Sequence, residues 1–235
     1  MDEFVKDKLE EDCIYRWHAP SPFCSPIFCV GGDDGGPRMR AVLDYREPNK
    51  YIEDVSYPVP IFNEVLFRLA GCFWFSHLDV KSAFHQLPID EEVQVLTTFA
   101  HRGWMYRWSR LVEGLKPASS WAQARFSEVL KLHDEEGAWL HTDDLLLFHP
   151  TLEAHLDCLE RILKRACEVG LVFSMSKCEF LMAQVEWLGR IIARGVVHPP
   201  VDYLQKLLER PRPNTVGQVR SWTASVGWVL SLIHI

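Results

Sequence analysis

The 235 residues suffice for one large domain or two small ones with a real hydrophobic core. With 48% apolar and 24% charged residues, no apolar run near the roughly 18 residues of a membrane span and no signal segment, we expect neither a membrane partner nor secretion. The net charge of −7 counts against nucleic-acid binding but does not exclude it, because a local basic groove or metal ions can serve within an acidic chain.

The hydrophobic pattern predicts helices and strands in an irregular alternation along the chain. In the first half we predict a helix over 1–14 (or a solvated leader), a hairpin of strands 27–30 and 39–43, a helix over 61–70, a strand over 73–78, and strands 97–100 and 104–108. In the second half we predict a helix from Pro117 to about Glu136, a hairpin within 139–149, a helix from Thr151 to Gly170, strands 171–174 and 179–181, a hairpin over 184–193, and helices over 201–210 and from 215 to about 229. This order predicts an α+β fold, with antiparallel sheet covered by helices and a small helical appendage. Seven cysteines without a C-x-x-C pair favour free thiols in a reducing compartment.

Two adjacent carboxylates stand out in the stretch W-L-H-T-D-D-L-L-L-F-H, which starts at Trp139. Asp143 and Asp144 fall where two short buried strands would turn. Buried carboxylates cost several kcal/mol unless something compensates them, and Mg²⁺ is a cation that carboxylates hold together with substrate phosphates. The alternative is a polar turn that joins two core strands. A second pair, Asp33-Asp34, has glycines on both sides and is typical of a solvated hairpin tip.

A third carboxylate, Asp79, follows directly after the predicted strand over 73–78. If Asp79 and Asp143 end adjacent strands, these residues and Asp144 could hold two divalent ions about 3.5–4 Å apart, an arrangement used for in-line phosphoryl displacement. A more remote alternative is an unrelated metal-dependent phosphotransferase, since three carboxylates alone would serve it.

Ordered motifs along the chain carry a resemblance. They are S-P-F-C-S-P from Ser21, R-A-V-L-D-Y-R-E-P-N-K from Arg40, Y-P-V-P from Tyr57, L-D-V-K-S-A-F-H-Q-L-P-I from Leu78, T-D-D-L-L-L-F from Thr142, S-K-C-E-F from Ser176, V-E-W-L-G from Val185, and the stretch from Pro211 to Ser221. In this order they resemble the reverse transcriptase of long-terminal-repeat retrotransposons of the Ty3/gypsy type, over nearly the full length of the chain.

The resemblance implies a right-hand polymerase fold. Fingers are expected in 1–72, a palm in 73–193 with an interleaved fingers segment near 90–115, and thumb-like helices in 194–229. The last six residues, L-S-L-I-H-I over 230–235, correspond to one reading frame of a common sequencing adapter, so we expect a foreign tail there.

The resemblance also implies the metal ligands. Asp79, Asp143 and Asp144 would bind two Mg²⁺ ions, or Mn²⁺ in their place, and the Val80 backbone carbonyl would assist them.

Nucleotide-binding roles are implied at five further positions. Arg40 would reach the triphosphate, Lys177 would lie near the leaving pyrophosphate, and Phe84 would exclude a ribose 2′-hydroxyl. Gly114 and Gln123 occupy matching positions of the family's nucleotide-binding segments. The alternatives are a solvated arginine on an edge strand, a surface lysine and an ordinary core aromatic.

The primer's end would be gripped by Trp187, Leu188 and Gly189. The implied activity is RNA-directed DNA polymerisation, a nucleotidyl transfer to a primer 3′-hydroxyl. The expected partners are an RNA or DNA template-primer and deoxynucleoside triphosphates, in a cytoplasmic particle or the nucleus. The RNase H and integrase parts of a polyprotein would be missing.

The sequence departs from the family pattern at two notable places. His141 stands where the family has Tyr, and Glu113 puts a negative charge beside the expected triphosphate. These departures leave open a catalytically decayed or co-opted copy that still binds nucleic acid.

Overall fold

The computed structural model describes residues 1–31, 40–58, 62–69, 71–194 and 196–233. The helices are α1 (Asp2–Glu10), α2 (Phe62–Leu69), α3 (Glu91–Leu96), α4 (Ala118–Val129), α5 (Leu152–Val169), α6 (Val201–Leu208) and α7 (Val216–Ile233). The strands are β1 (Ile14–Trp17), β2 (Ile27–Val30), β3 (Arg40–Leu43), β4 (Trp74–Asp79), β5 (Phe99–His101), β6 (Trp104–Trp108), β7 (Ala138–His141), β8 (Asp144–His149), β9 (Glu179–Met182), β10 (Gln184–Trp187), β11 (Arg190–Ala193) and β12 (Val196–His198).

The chain forms two compact units. The first comprises Met1–Pro58 and Ser82–Phe126, and the second comprises Val59–Lys81 and Ser127–Ile235. The breaks at 81/82 and 126/127 fall inside the predicted palm, so the fingers, palm and thumb boundaries stay a prediction.

The first unit contains a three-stranded antiparallel sheet in the order β1-β6-β5 and a separate β2–β3 hairpin. The predicted helix over 1–14 is too long, because α1 ends at Glu10 and Asp12 adopts a left-handed φ of 52° before β1 begins. The tip of the β2–β3 hairpin, with the predicted Asp33-Asp34 turn, lies outside the described residues.

The second unit is built on a four-stranded antiparallel sheet in the order β7-β8-β4-β9. Alternate residues of β4 and β8 point to opposite faces, since side chains alternate along a strand. Helix α5 packs against β8 and β4 and covers the face that carries Ser76, whose hydroxyl lies 2.7 Å from the His155 ring. The other face carries an apolar core formed by Val65, Leu69, Cys72, Phe75, Trp139, Leu146, Phe148, Val185, Trp187 and Ile192.

Helix α5 follows the sequence prediction closely. The Thr151 hydroxyl caps its first turn by accepting a hydrogen bond from the Ala154 amide, and Gly170 ends it in a left-handed conformation. Helix α4, in contrast, ends at Val129 rather than near Glu136. Lys131 adopts a left-handed φ of 51° there, and the following chain turns Glu135 inward to pair with Arg161 and Arg165 of α5.

The C-terminal part has one strand more than predicted. Strand β12 pairs with β11 to extend the predicted β10–β11 hairpin into a three-stranded sheet. The predicted strand over 171–174 is wrong, since only Phe173 forms an isolated bridge, to Val80. Helix α7 continues to Ile233, and residues 234–235 of the expected foreign tail lie outside the described residues.

All seven cysteines are free thiols. Among the helices that the structure describes, none is long and apolar enough to cross a bilayer.

Candidate active site

The second unit's sheet brings the three predicted carboxylates to one end. Asp79 ends β4 and Asp144 begins β8, and the two residues are direct partners in the antiparallel register. The amide of Val80 donates a 2.9 Å hydrogen bond to the Asp143 carbonyl oxygen, which joins the hairpin turn to the end of β4. The buried pairs Phe75/Phe148 and Leu78/Leu145 favour this register, because a slip of one residue would exchange the side chains that face the apolar core with those that face α5.

The β7–β8 hairpin turns through two residues, Thr142 and Asp143. Thr142 has a φ of 59°, which is unusual for a β-branched side chain and costs about 1–3 kcal/mol. Such strained positions concentrate at functional sites, and here the strain sets the backbone immediately before Asp143.

Negative charge accumulates at this end of the sheet. Burial raises the pKa of the Asp143 carboxyl above its usual range, and the carboxylates of Asp144 and Asp79 raise it further. The cluster would therefore be stabilised by a cation.

One cation, Lys177, already contacts the cluster. The chain after Asp79 is held by the 172–174 segment, in which the Ser174 amide donates to the Asp79 carbonyl oxygen at 2.8 Å. The turn that follows places the Lys177 ammonium 3.1 and 3.2 Å from the two carboxylate oxygens of Asp79. The hydrogen bond to Asp79 raises the pKa of Lys177, so the ammonium group stays protonated at neutral pH.

Sequence reasoning missed His77. Its Nε2 lies 2.9 Å from Oδ1 of Asp144, and the ring is only 16% exposed. The hydrogen bond to Asp144 raises the pKa of His77 above the usual value, against the effect of burial. The sequence did offer a signal, because a histidine within a mostly buried strand requires a hydrogen-bond partner.

The donor set fits a hard divalent cation, because it consists of three carboxylates and a backbone carbonyl oxygen without sulfur. The carboxylates are neighbours, but they do not bring one oxygen each within 4.8 Å of one another. Across the described ranges, the His, Cys, Asp and Glu groups that reach this spacing are Glu11, Cys13 and His85. The site therefore has the ligand types that a divalent cation needs, and the carboxylate oxygens would have to move closer together to bind metal ions.

Four of the predicted nucleotide-binding residues belong to the first unit. Arg40 is exposed at the start of β3, and Phe84 is half-buried in a short 3₁₀ helix. Gln123 is buried within α4. Gly114 has a φ of 92°, and its carbonyl oxygen accepts a 2.8 Å hydrogen bond from the Asn49 side chain.

The predicted primer grip lies at the β10–β11 turn of the second unit. Leu188 and Gly189 both have positive φ, 48° and 68°, as a two-residue turn of type I′ requires. Trp187 is buried in the apolar core, so its ring packs there, and contact with a primer would depend on the turn itself.

The sequence matches one protein family over most of its length. Residues 32–192 match the family described as reverse transcriptase (RNA-dependent DNA polymerase). The chain belongs to this reverse transcriptase family. Asp79, Asp143 and Asp144 all lie within the matched residues.

Curated relatives are transposon polyproteins. The chain is 26% identical to the retrovirus-related Pol polyprotein from transposon 297 of Drosophila melanogaster, over 99% of this chain and 22% of that protein. It is 29% identical to the Pol polyprotein from transposon gypsy of the same species, over 94% of this chain and 22% of that protein. The Tf2-3 polyprotein of Schizosaccharomyces pombe is 24% identical over 88% of this chain and 16% of that protein. The chain thus spans about a fifth of the length of these polyprotein relatives.

Solved structures share the fold. The foamy viral protease-reverse transcriptase in complex with dsDNA matches with a TM-score of 0.85 and 25% identity, over 97% of this chain and 46% of that chain. The same enzyme in complex with an RNA/DNA hybrid matches with a TM-score of 0.83 and 24% identity, over 97% of this chain and 30% of that chain. The expected polymerase fold, with mixed helices and antiparallel sheets, is confirmed.

Proposed function

We propose that this chain is the polymerase module of a retrotransposon polyprotein and catalyses RNA-directed DNA synthesis. The observation that carries the proposal is the pairing of Asp79 with Asp144 at one sheet end, beside Asp143, in a chain of the reverse transcriptase family. The reaction is a nucleotidyl transfer. A primer 3′-hydroxyl loses its proton and bonds to the α-phosphorus of a deoxynucleoside triphosphate, whose bond to pyrophosphate breaks.

Asp79, Asp143, Asp144 and the Val80 carbonyl would hold two Mg²⁺ ions, or Mn²⁺ in their place. When bound, these ions supply Lewis-acid stabilisation of the attacking hydroxyl and of the leaving pyrophosphate. The chain's contribution is to fix the carboxylates, through the β4–β8 register and the strained turn at Thr142. The raised pKa of Asp143 supports this assignment, because charge that is buried and crowded favours a bound cation.

The nucleotide would be handled by residues on several segments. Lys177, a cation beside Asp79, is proposed to approach the leaving pyrophosphate. Arg40 is proposed to contact the triphosphate, with Gly114 and Gln123 shaping the nucleotide's surroundings. Phe84 is proposed to select deoxynucleotides by steric clash with a 2′-hydroxyl.

The template-primer would be followed through its backbone and by stacking on aromatic side chains, which needs no sequence readout. The Trp187–Leu188–Gly189 turn is proposed to grip the primer's end, and α6 and α7 to act as a thumb. RNase H and integrase parts would be supplied by a longer polyprotein. DNA synthesis would take place inside a cell, in a cytoplasmic particle or the nucleus.

A second candidate is a decayed or co-opted copy that binds nucleic acid without chemistry. Glu113 favours it, because this exposed carboxylate neighbours Gly114 in the segment proposed to meet the triphosphate.

Primer extension separates the two candidates. The purified chain is supplied with a DNA primer on an RNA template, Mg²⁺ and each deoxynucleotide in turn. We expect stepwise extension that follows the template and requires the matching deoxynucleotide. A chain that is folded by circular dichroism and binds the template-primer, but extends it on neither RNA nor DNA with Mg²⁺ or Mn²⁺, would support the decayed copy instead.

A further inference from the structure

We infer that His77 is a positioning residue for the metal site, holding one oxygen of Asp144 so that the other is left for a cation. The inference rests on the proposed function and assigns a role to a residue outside the predicted site.

The register puts His77 in the right place for this role. His77 and Asp79 are two positions apart on β4, so both project to the same face of the sheet, and Asp144 lies opposite Asp79 on β8. His77 and Asp144 are therefore diagonal neighbours across the two strands, and Nε2 of His77 lies 2.9 Å from Oδ1 of Asp144. A carboxylate accepts here, so the imidazole must carry its proton on Nε2, which fixes both its tautomer and its ring orientation.

Packing alone gives no reason for a histidine at this position. On the same face, Phe75 and Leu146 belong to the apolar core, and the register partners of His77 are Leu146 on β8 and Glu179 on β9. An aliphatic side chain would fill this site without a polar atom to satisfy. The imidazole's one described hydrogen bond goes to a proposed metal ligand, which explains why a polar ring occupies a buried strand.

The three carboxylates are held by different means. The turn at Thr142 sets the backbone of Asp143, and Lys177 pairs with Asp79. His77 restrains Asp144. Because the three carboxylates do not bring one oxygen each within 4.8 Å of one another, the affinity for a cation depends on how far each side chain must move and how much freedom it loses. Hydrogen bonds to metal ligands typically change metal affinity by about 10–100-fold when they are removed.

The test is Mn²⁺ binding by the whole chain without nucleic acid, followed by the electron paramagnetic resonance signal of free Mn²⁺. The His77→Leu substitution removes the Nε2 donor and leaves an apolar side chain that still packs at this position. We expect Mn²⁺ affinity to fall about 10-fold or more. In His77→Gln the amide nitrogen can occupy the place of Nε2 and donate the same hydrogen bond. The Mn²⁺ affinity of this variant should therefore stay within about 3-fold of the parent's.

A shorter polar variant guards against a folding failure. His77→Asn keeps an amide but cannot reach Asp144, so it should lose affinity as His77→Leu does while being as polar as His77→Gln. In primer extension, both weakened variants should require about 10-fold more Mg²⁺ for half-maximal rate and keep kcat near the parent's at saturating Mg²⁺.

The Asp144→Asn variant distinguishes an error in the role given to His77 from an error in the proposed metal site. If Asp144→Asn leaves Mn²⁺ affinity unchanged, the proposed metal site itself is wrong. If Asp144→Asn weakens binding but folded His77→Leu and His77→Asn bind as the parent does, the metal site stands and His77 only satisfies packing. In the Asp144→Asn background, His77→Leu should have no further effect.

Discussion

The buried ring of His155, in contact with His149, should make the fold acid-sensitive. His155 of α5 is fully buried, with Nε2 2.7 Å from the Ser76 hydroxyl and Nδ1 3.1 Å from Nδ1 of His149. Burial, with a smaller contribution from the neighbouring His149, lowers the pKa of His155 to about 4. The ring is therefore neutral in the folded chain at pH values at which the unfolded chain, with a pKa near 6.5, already binds a proton.

The sign and size of the effect follow from that difference. Between pH 6.5 and 4 the unfolded state holds more protons, so the free energy of unfolding falls as the pH falls. Each pH unit in this window removes up to about 1.4 kcal/mol, and about 2 kcal/mol is lost between pH 7 and pH 5. The loss reaches about 3 kcal/mol below pH 4.

Urea unfolding followed by tryptophan fluorescence at several pH values measures this loss. His155→Gln keeps a polar side chain that cannot ionise, so its stability should fall by about 2 kcal/mol less than the parent's between pH 7 and pH 5. His18→Gln, at an exposed position, is the matched control and should run parallel to the parent. Parallel curves for the parent and His155→Gln would refute the reasoning.

Gly137→Ala should destabilise the chain by about 1–3 kcal/mol in the same unfolding assay, because an added Cβ would lie 2.6 Å from the Phe148 carbonyl oxygen; an unchanged midpoint would contradict this. Glu135→Leu should cost about 3 kcal/mol, since the Arg165 guanidinium is mostly buried and would lose its carboxylate, and a stability equal to the parent's would show the ion pair to be dispensable. Phe84→Ala should raise ribonucleotide incorporation about 10-fold or more relative to deoxynucleotides in single-nucleotide extension, because the proposed clash with the 2′-hydroxyl is removed; an unchanged ratio would leave Phe84 as a packing residue.

Local patterns predicted the elements that carry the site. The apolar residues of 139–148, with two aspartates at their centre, correspond to the β7–β8 hairpin. The spacing of three and four between apolar residues predicted helix α5, and Thr151 and Gly170 predicted its two ends. Asp79 at the end of an apolar strand was recognisable in the same way, since a charge directly after a buried strand needs a reason.

The remaining features depend on contacts between distant segments. Strand β12 has only three residues and exists because β11 offers it an edge, and no periodicity develops over that length. The roles of His77 and Gly137 depend on which residues lie near them across the sheet, Asp144 diagonally from His77 and Phe148 beside Gly137. Register is a property of the folded sheet, so neither role could be read from the residues around it.

We propose above all that the carboxylates of the β7–β8 hairpin and β4 support nucleotidyl transfer. The most direct test compares primer extension on an RNA template by the parent, by Asp143→Asn and by Asp157→Asn, a matched change on the exposed side of α5. We expect the parent and Asp157→Asn to extend the primer equally, while Asp143→Asn loses about 100-fold or more of the rate at saturating Mg²⁺. A folded Asp143→Asn variant that extends the primer within a few-fold of the parent would show that this carboxylate is not needed for the transfer.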